Sequence, residues 1–166
     1  LTHGELVAVA VNWLRNSRGC GVVLSERGTH EIPDAIGWGK LTIVVEVKVT
    51  RADFLADLRK SHRNGPAAFG RERWYLTPKG LLACETIPAP WGLLEWNGRV
   101  CRRIVLPTVL PDCLESVEHE RRLLLGELRA YHAQGITYKR GAARWNLPTD
   151  GTARAPLQGP QEVGLL

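Results

Sequence analysis

Hydrophobic and polar positions along the chain fall into stretches with two different periods. Between residues 3 and 16, Leu6, Ala10 and Trp13, with Val7, Val11 and Leu14, recur at three- and four-residue steps, which predicts a helix with one apolar face. Thr2 followed three residues later by Glu5 has the spacing of a capping box at its start. Gly19 and Gly21 break the pattern, and Val22-Val23-Leu24 opens a short strand. A second strand is expected from His30 to Trp38, with Pro33 at an edge or bulged position, and Gly37 to Lys40 supply turn residues. The clearest period-2 run covers residues 41–49. Leu41, Ile43, Val45, Val47 and Val49 take the odd positions, while Glu46 and Lys48 are even, giving a strand with a dry face and a chemical face.

Thr50 with Asp53 starts a helix over about residues 51–61, in which Phe54, Leu55 and Leu58 can face the core. Gly65-Pro66 ends it, and "RWYLTP" reads as a strand leaving through Pro78-Lys79-Gly80. Gly92 to Trp96, the turn Asn97-Gly98 and Arg99 to Leu106 form a hairpin pattern. A long helix follows, with Leu114, Val117, Leu124, Leu128 and Tyr131 as its packing stripe and Gly135 as its C-terminal cap. From Leu147 onward no periodicity survives, so residues 147–166 are expected to be an extended tail on a single domain of residues 1–146. Helix, three strands, helix, strand, further strands and helix describe an α/β sheet flanked by helices.

At 166 residues and 44% hydrophobic, the chain has material for one domain. It has neither an apolar run of membrane-spanning length nor a secretory-signal pattern at its start, so a soluble cytoplasmic protein without a membrane partner is expected. Cys20, Cys84, Cys101 and Cys113 lie far apart with no C-x-x-C pair, which argues against a structural metal or disulfide framework and suggests buried thiols. The net charge of +5 is concentrated in residues 51–75 and 139–154. Basic segments of this kind suit a polyanion, because neutralising phosphates releases condensed counterions. Arg51, Arg59, Lys60, Arg63, Arg71 and Arg73 are candidates for phosphate contact, as are Lys139, Arg140 and Arg144 with Tyr138 and Trp145 among them.

The candidate chemistry lies in "PDAIGWGKLTIVVEVK", residues 33–48. Residues two apart on a strand point the same way, so Glu46 and Lys48 project together from one face. If the preceding strand pairs antiparallel about a turn centred on Lys40, Asp34 stands opposite Glu46; a tighter turn at Trp38-Gly39 would place it opposite Ile43 instead. Two carboxylates with water and a phosphate oxygen suit Mg²⁺. A plain ion pair on a half-exposed strand is the competing reading of Glu46 and Lys48, and helix capping is that of Glu5.

The "PD…EVK" pattern resembles the active-site signature of the PD-(D/E)XK nuclease superfamily, whose elements occur in this order. Together with "VEVKVTRADFLADLRK", "RERWYLTPKGLL" and "PWGLLEW", it resembles the MmcB-like branch of bacterial DNA-repair proteins over roughly residues 3–107. The resemblance implies a restriction-endonuclease-like core with a mixed sheet, and Mg²⁺- or Mn²⁺-dependent hydrolysis of DNA phosphodiesters. Asp34, Glu46 and the main-chain carbonyl of Val47 would hold the ion. Lys48 would position or help deprotonate the attacking water, and Glu5 would match an acidic residue of the first helix. An endonuclease in repair, recombination or foreign-DNA handling is the leading expectation, with a homodimer as one means of cutting both strands. Its rivals are an idle nucleic-acid-binding module of the same fold and a scaffold protein pairing through the last helix.

Overall fold

The computed structural model describes residues 1–29, 31–59 and 68–135. Helix α1 (His3–Asn12) widens into a π-helical turn (Trp13–Ser17), followed by β1 (Val22–Ser25), β2 (Ala35–Trp38), β3 (Thr42–Val47) and α2 (Arg51–Asp57). After these come β4 (Glu72–Pro78), a 3-10 turn (Cys84–Thr86), β5 (Gly92–Trp96), β6 (Cys101–Val105) and α3 (Leu114–Ala133). The six strands form one sheet in chain order. β3, β4 and β5 run parallel, and the β1–β2, β2–β3 and β5–β6 ladders are antiparallel. The fold is thus α/β, a mixed sheet flanked by helices. Packing divides the chain into Leu1–Leu123 and Leu124–Leu166. The described part of the second unit continues α3 and ends near Gly135, whose φ of +78° is the left-handed value expected of a helix stop.

Alternation sorts the sheet's side chains between two cores. Ile43, Val45 and Val47 of β3, with Trp74 and Leu76 of β4, pack against Leu6, Val7, Ala10, Trp13 and Leu14. Val44 of β3 and Tyr75 of β4 pack with Ile36, Phe54 of α2 and Leu123 of α3. Both faces of β3 are therefore covered, and the expected contrast between a dry and a chemical face is corrected: Glu46 and Lys48 point into packed protein. Parallel central strands with helices on both sides account for this.

Several boundaries differ for local reasons. The first helix loses its α-helical spacing at Trp13, where the Arg18 amide bonds the Trp13 carbonyl five residues back and both Trp13 and Leu14 stay buried. β2 begins at Ala35, not at His30, because Pro33 cannot donate to a ladder. In α2, Phe54 and Asp57 occupy the sheet-facing side, which turns Leu55 (47% exposed) and Leu58 (40%) away from the core. The expected stripe of α3 is also displaced within the first unit. Leu114 is 85% exposed, while Ser116 and Leu123 are buried. Between these two lies Glu120, whose carboxylate accepts from Trp38 Nε1, Thr42 Oγ1 and the Gly70 amide, so the inward face is partly polar and invisible to hydropathy. Of the cysteines, all free, only Cys20 is buried; Cys84 is exposed on the 3-10 turn, and Cys101 and Cys113 are half-buried. Among the described residues no helix is long and apolar enough to cross a membrane.

Candidate active site

The β2–β3 register fixes the first half of the site. Ala35 pairs with Val45 and Trp38 with Thr42, which centres the turn on Lys40. Continuing that register places Asp34 opposite Glu46 and Pro33 opposite Val47. The next ladder rung would need a donor from residue 33, and proline has none. The Val47 amide is satisfied separately, donating to Asp34 Oδ2 at 2.7 Å in place of a main-chain carbonyl. Since the amide and carbonyl of a strand residue point to the same side, the Val47 carbonyl faces this edge too, with Pro33 in the donor's place. The other Asp34 oxygen lies 3.4 Å from His3 Nε2 on the first turn of α1. The Asp34 carboxylate thus sits near the plane of the sheet, at the end of β2.

The second half is built on the α2 side. Thr50 caps α2 by accepting the Asp53 amide at 3.1 Å, so two turns later Asp57 faces the sheet beside Phe54. Lys48 Nζ lies 3.3 Å from Glu46 Oε2 and 3.1 Å from Asp57 Oδ1. Tyr75, the residue paired with Glu46 across the parallel β3–β4 ladder, donates its hydroxyl to Asp57 Oδ2 at 3.2 Å. The Tyr75 ring is held edge-on by Phe54 and stacked on Trp91 at 4.4 Å, and Lys48 Nζ stands 6.0 Å from its centroid. Glu46, Lys48 and Asp57 are 1%, 6% and 2% exposed. Asp57 is the site residue that sequence reasoning passed over as solvating or Arg-orienting. Its signal was the three-residue step from Phe54, which puts both on one helical face.

Among the predicted site residues the structure brings Glu46 and Lys48 into contact, sets Asp34 at the adjacent strand end and leaves Glu5 in its capping box. The Glu5 carboxylate accepts from the Thr2 amide at 2.7 Å and the Thr2 hydroxyl at 3.0 Å. These bonds, the backbone one foremost, hold it below the usual carboxylate range. The helix-start residue that faces Asp34 is His3 instead.

The proposed phosphate contacts also separate. Arg51 and Arg59 are exposed on α2 and just past it. Arg73 is corrected: it is 3% exposed, and its guanidinium donates to the carbonyls of Ala68, Phe69 and Gly70, with burial pulling its pKa down. Its odd-numbered place in "RERWY" concealed a structural role in holding the chain before β4. Arg71 is half-buried, bonded to the Leu110 carbonyl and 3.2 Å from Asp112. It lines a cavity of about 370 Å³ shared with Thr42, Ser116 and Glu120. Lys60, Arg63, Tyr138, Lys139, Arg140, Arg144, Trp145 and the 147–166 tail lie outside the described residues.

Among the described residues no three His, Cys, Asp or Glu side chains gather as a metal-binding group. The oxygens expected from the sequence to hold an ion are those of Asp34, Glu46 and the Val47 carbonyl, at the end of β2 and β3. Two carboxylates and a carbonyl completed by water and phosphate match the preference of Mg²⁺ or Mn²⁺ for hard oxygen ligands. The proline that removes the ladder donor from Val47 is the structural feature favouring that fit.

No family model matches the chain, and neither does any curated protein. The chain is similar in structure to the SPO1766 protein of unknown function from Silicibacter pomeroyi, with a TM-score of 0.61 and 19% identity over 81% of this chain and 92% of that one. This likeness is one of fold.

Proposed function

We propose that this chain is a PD-(D/E)XK-type nuclease of the MmcB-like kind, with a restriction-endonuclease-like core, that hydrolyses DNA phosphodiesters with Mg²⁺ or Mn²⁺. The observation that carries this reading is the pairing of a proline-terminated ladder, with Asp34 at Val47, and a buried Glu46–Lys48–Asp57 cluster one residue to either side. Buried ion pairs add little net stability compared with apolar packing, so a chain that keeps one in the middle of its sheet has reason beyond folding to do so.

In this reading Asp34, Glu46 and the Val47 carbonyl hold the divalent ion, which when bound supplies a Lewis acid for the phosphoryl oxygen and a more acidic water. Lys48 orients that water and faces the charge that develops on the phosphate. Asp57, anchored by Tyr75, fixes where the ammonium stands. Arg51 and Arg59 grip phosphates flanking the scissile bond. Cytoplasmic endonucleolytic cutting in repair, recombination or defence against foreign DNA, with a homodimer for double-strand cleavage, completes the proposal.

A second reading, an idle DNA-binding module, draws on one observation: Glu46 and Lys48 are almost fully covered. One assay separates the two. Plasmid and single-stranded DNA are incubated with wild type, Asp34→Asn and Lys48→Ala, with Mg²⁺ or EDTA. The nuclease reading expects Mg²⁺-dependent cutting that falls by at least about 100-fold in either variant. Equal cutting by all three proteins would reveal a contaminant and overturn it. Salt-sensitive DNA binding with no cutting would establish the module.

A further inference from the structure

Thr77, on β4, is fully buried, and its hydroxyl has no hydrogen-bond partner among the described residues. It lies on the same face of the sheet as Tyr75, two residues earlier. In the parallel β3–β4 ladder Val47 pairs with Leu76, and the Lys48 amide bonds the Leu76 carbonyl, so one step further sets Thr77 beside Lys48. Neighbouring strands are about 4.8 Å apart, which makes the two side chains lateral neighbours. On the other flank Thr77 pairs with Glu95, whose carboxylate is occupied by the Gly80 amide at 2.8 Å.

An ammonium has three donors. Lys48 donates one to Glu46 Oε2 at 3.3 Å and is ion-paired with Asp57 Oδ1 at 3.1 Å, so the ammonium keeps donor capacity for a ligand on the face it shares with Thr77. A buried hydroxyl with no partner is costly, and such groups in folded proteins are matched by an internal water or a bound oxygen. Thr77 is 0% exposed, so a partner for its hydroxyl must be small, and water is the smallest oxygen ligand that meets the need.

We propose that Thr77 is a positioning residue: its hydroxyl and the Lys48 ammonium hold a single water molecule, the one that attacks the phosphate. The catalytic half of this inference rests on the nuclease reading; the water site does not.

The test has two arms. In a crystal structure of the wild-type protein at better than about 1.8 Å, a water is expected within hydrogen-bond distance of both Thr77 Oγ1 and Lys48 Nζ. Its absence overturns the inference whether or not the protein cuts DNA. In the second arm, Thr77→Val keeps the side-chain shape and removes the hydroxyl. It is expected to lower kcat by about 10- to 30-fold with KM unchanged, while Thr77→Ser stays within about threefold of wild type. Circular dichroism verifies that both variants fold. Wild-type kcat in Thr77→Val overturns the positioning role, as does an effect confined to KM. Wild type that fails to cleave under any divalent ion refutes the nuclease reading and the positioning role with it, leaving the density to decide the water site.

Discussion

Replacing Asp57 by Asn tests whether the buried cluster is as strongly coupled as its geometry implies. The substitution preserves shape and leaves an amide oxygen for the Tyr75 hydroxyl, so what it removes is the charge 3.1 Å from Lys48 Nζ. At that separation the gross attraction is about 5 kcal/mol for an effective dielectric of about 20. Relief of the carboxylate's own desolvation offsets part of this, and Lys48 keeps Glu46 at 3.3 Å, so the loss belongs at the low end of the range for a broken buried pair, about 3 kcal/mol. With a urea slope of about 2 kcal/mol/M, the unfolding midpoint should fall by about 1.5 M at an unchanged slope. Asp57→Ala should cost roughly 1 to 3 kcal/mol more, because it strands the Tyr75 hydroxyl. A double-mutant cycle with Lys48→Met should return a coupling of about 1 to 3 kcal/mol. A midpoint for Asp57→Asn within about 0.25 M of wild type would mean that the ion pair contributes nothing net, and the reasoning from buried geometry would be wrong.

The remaining predictions concern other parts of the chain. Leu123→Ala should destabilise by about 2 to 5 kcal/mol and Leu114→Ala by less than about 0.5, measured by urea unfolding; equal effects would refute the displaced inward face of α3. At pH 8 a disulfide reagent should modify exposed Cys84 first. Cys101, whose thiol burial pushes up to about 11, should lag well behind until the protein is unfolded, its thiolate fraction being on the order of 0.001. Glu118, bonded by Arg121 first and Arg122 second, is held down to about 2. Its folded value lies below its unfolded value, so whatever it adds to stability is present above about pH 4.5 and fades as pH falls toward 2. Carboxyl NMR of Glu118 checks the titration, and Glu118→Gln should flatten the acid dependence of unfolding over that window.

Most of the sheet could be read from the chain because period-2 runs with turn residues between them are local signals, and the order of elements followed from those alone. The register was open between two turns until the structure centred it on Lys40. The choice rests on packing: this register puts Ala35 with the α1-side core and Ile36 with the α2-side core, consistent with burial of both. What the chain concealed was mostly polar material facing inward. Glu120, Arg73 and Asp57 look like surface residues in any hydropathy count, and each is turned inward by partners distant in sequence. Glu5 shows the reverse: Thr2 satisfies it, so a nearby acidic residue was credited with chemistry that the first turn's His3 is better placed to influence.

Because the strands are laid side by side in the order of synthesis, each new strand can dock onto the one just completed without waiting for a distant segment. Asp34, Glu46, Lys48, Asp57, Tyr75 and Thr77 all precede the end of β4, so these groups of the catalytic proposal have emerged before the β5–β6 hairpin and α3. Those later strands act as a brace: β5 pairs with the open edge of β4, and β6 in turn covers the edge of β5.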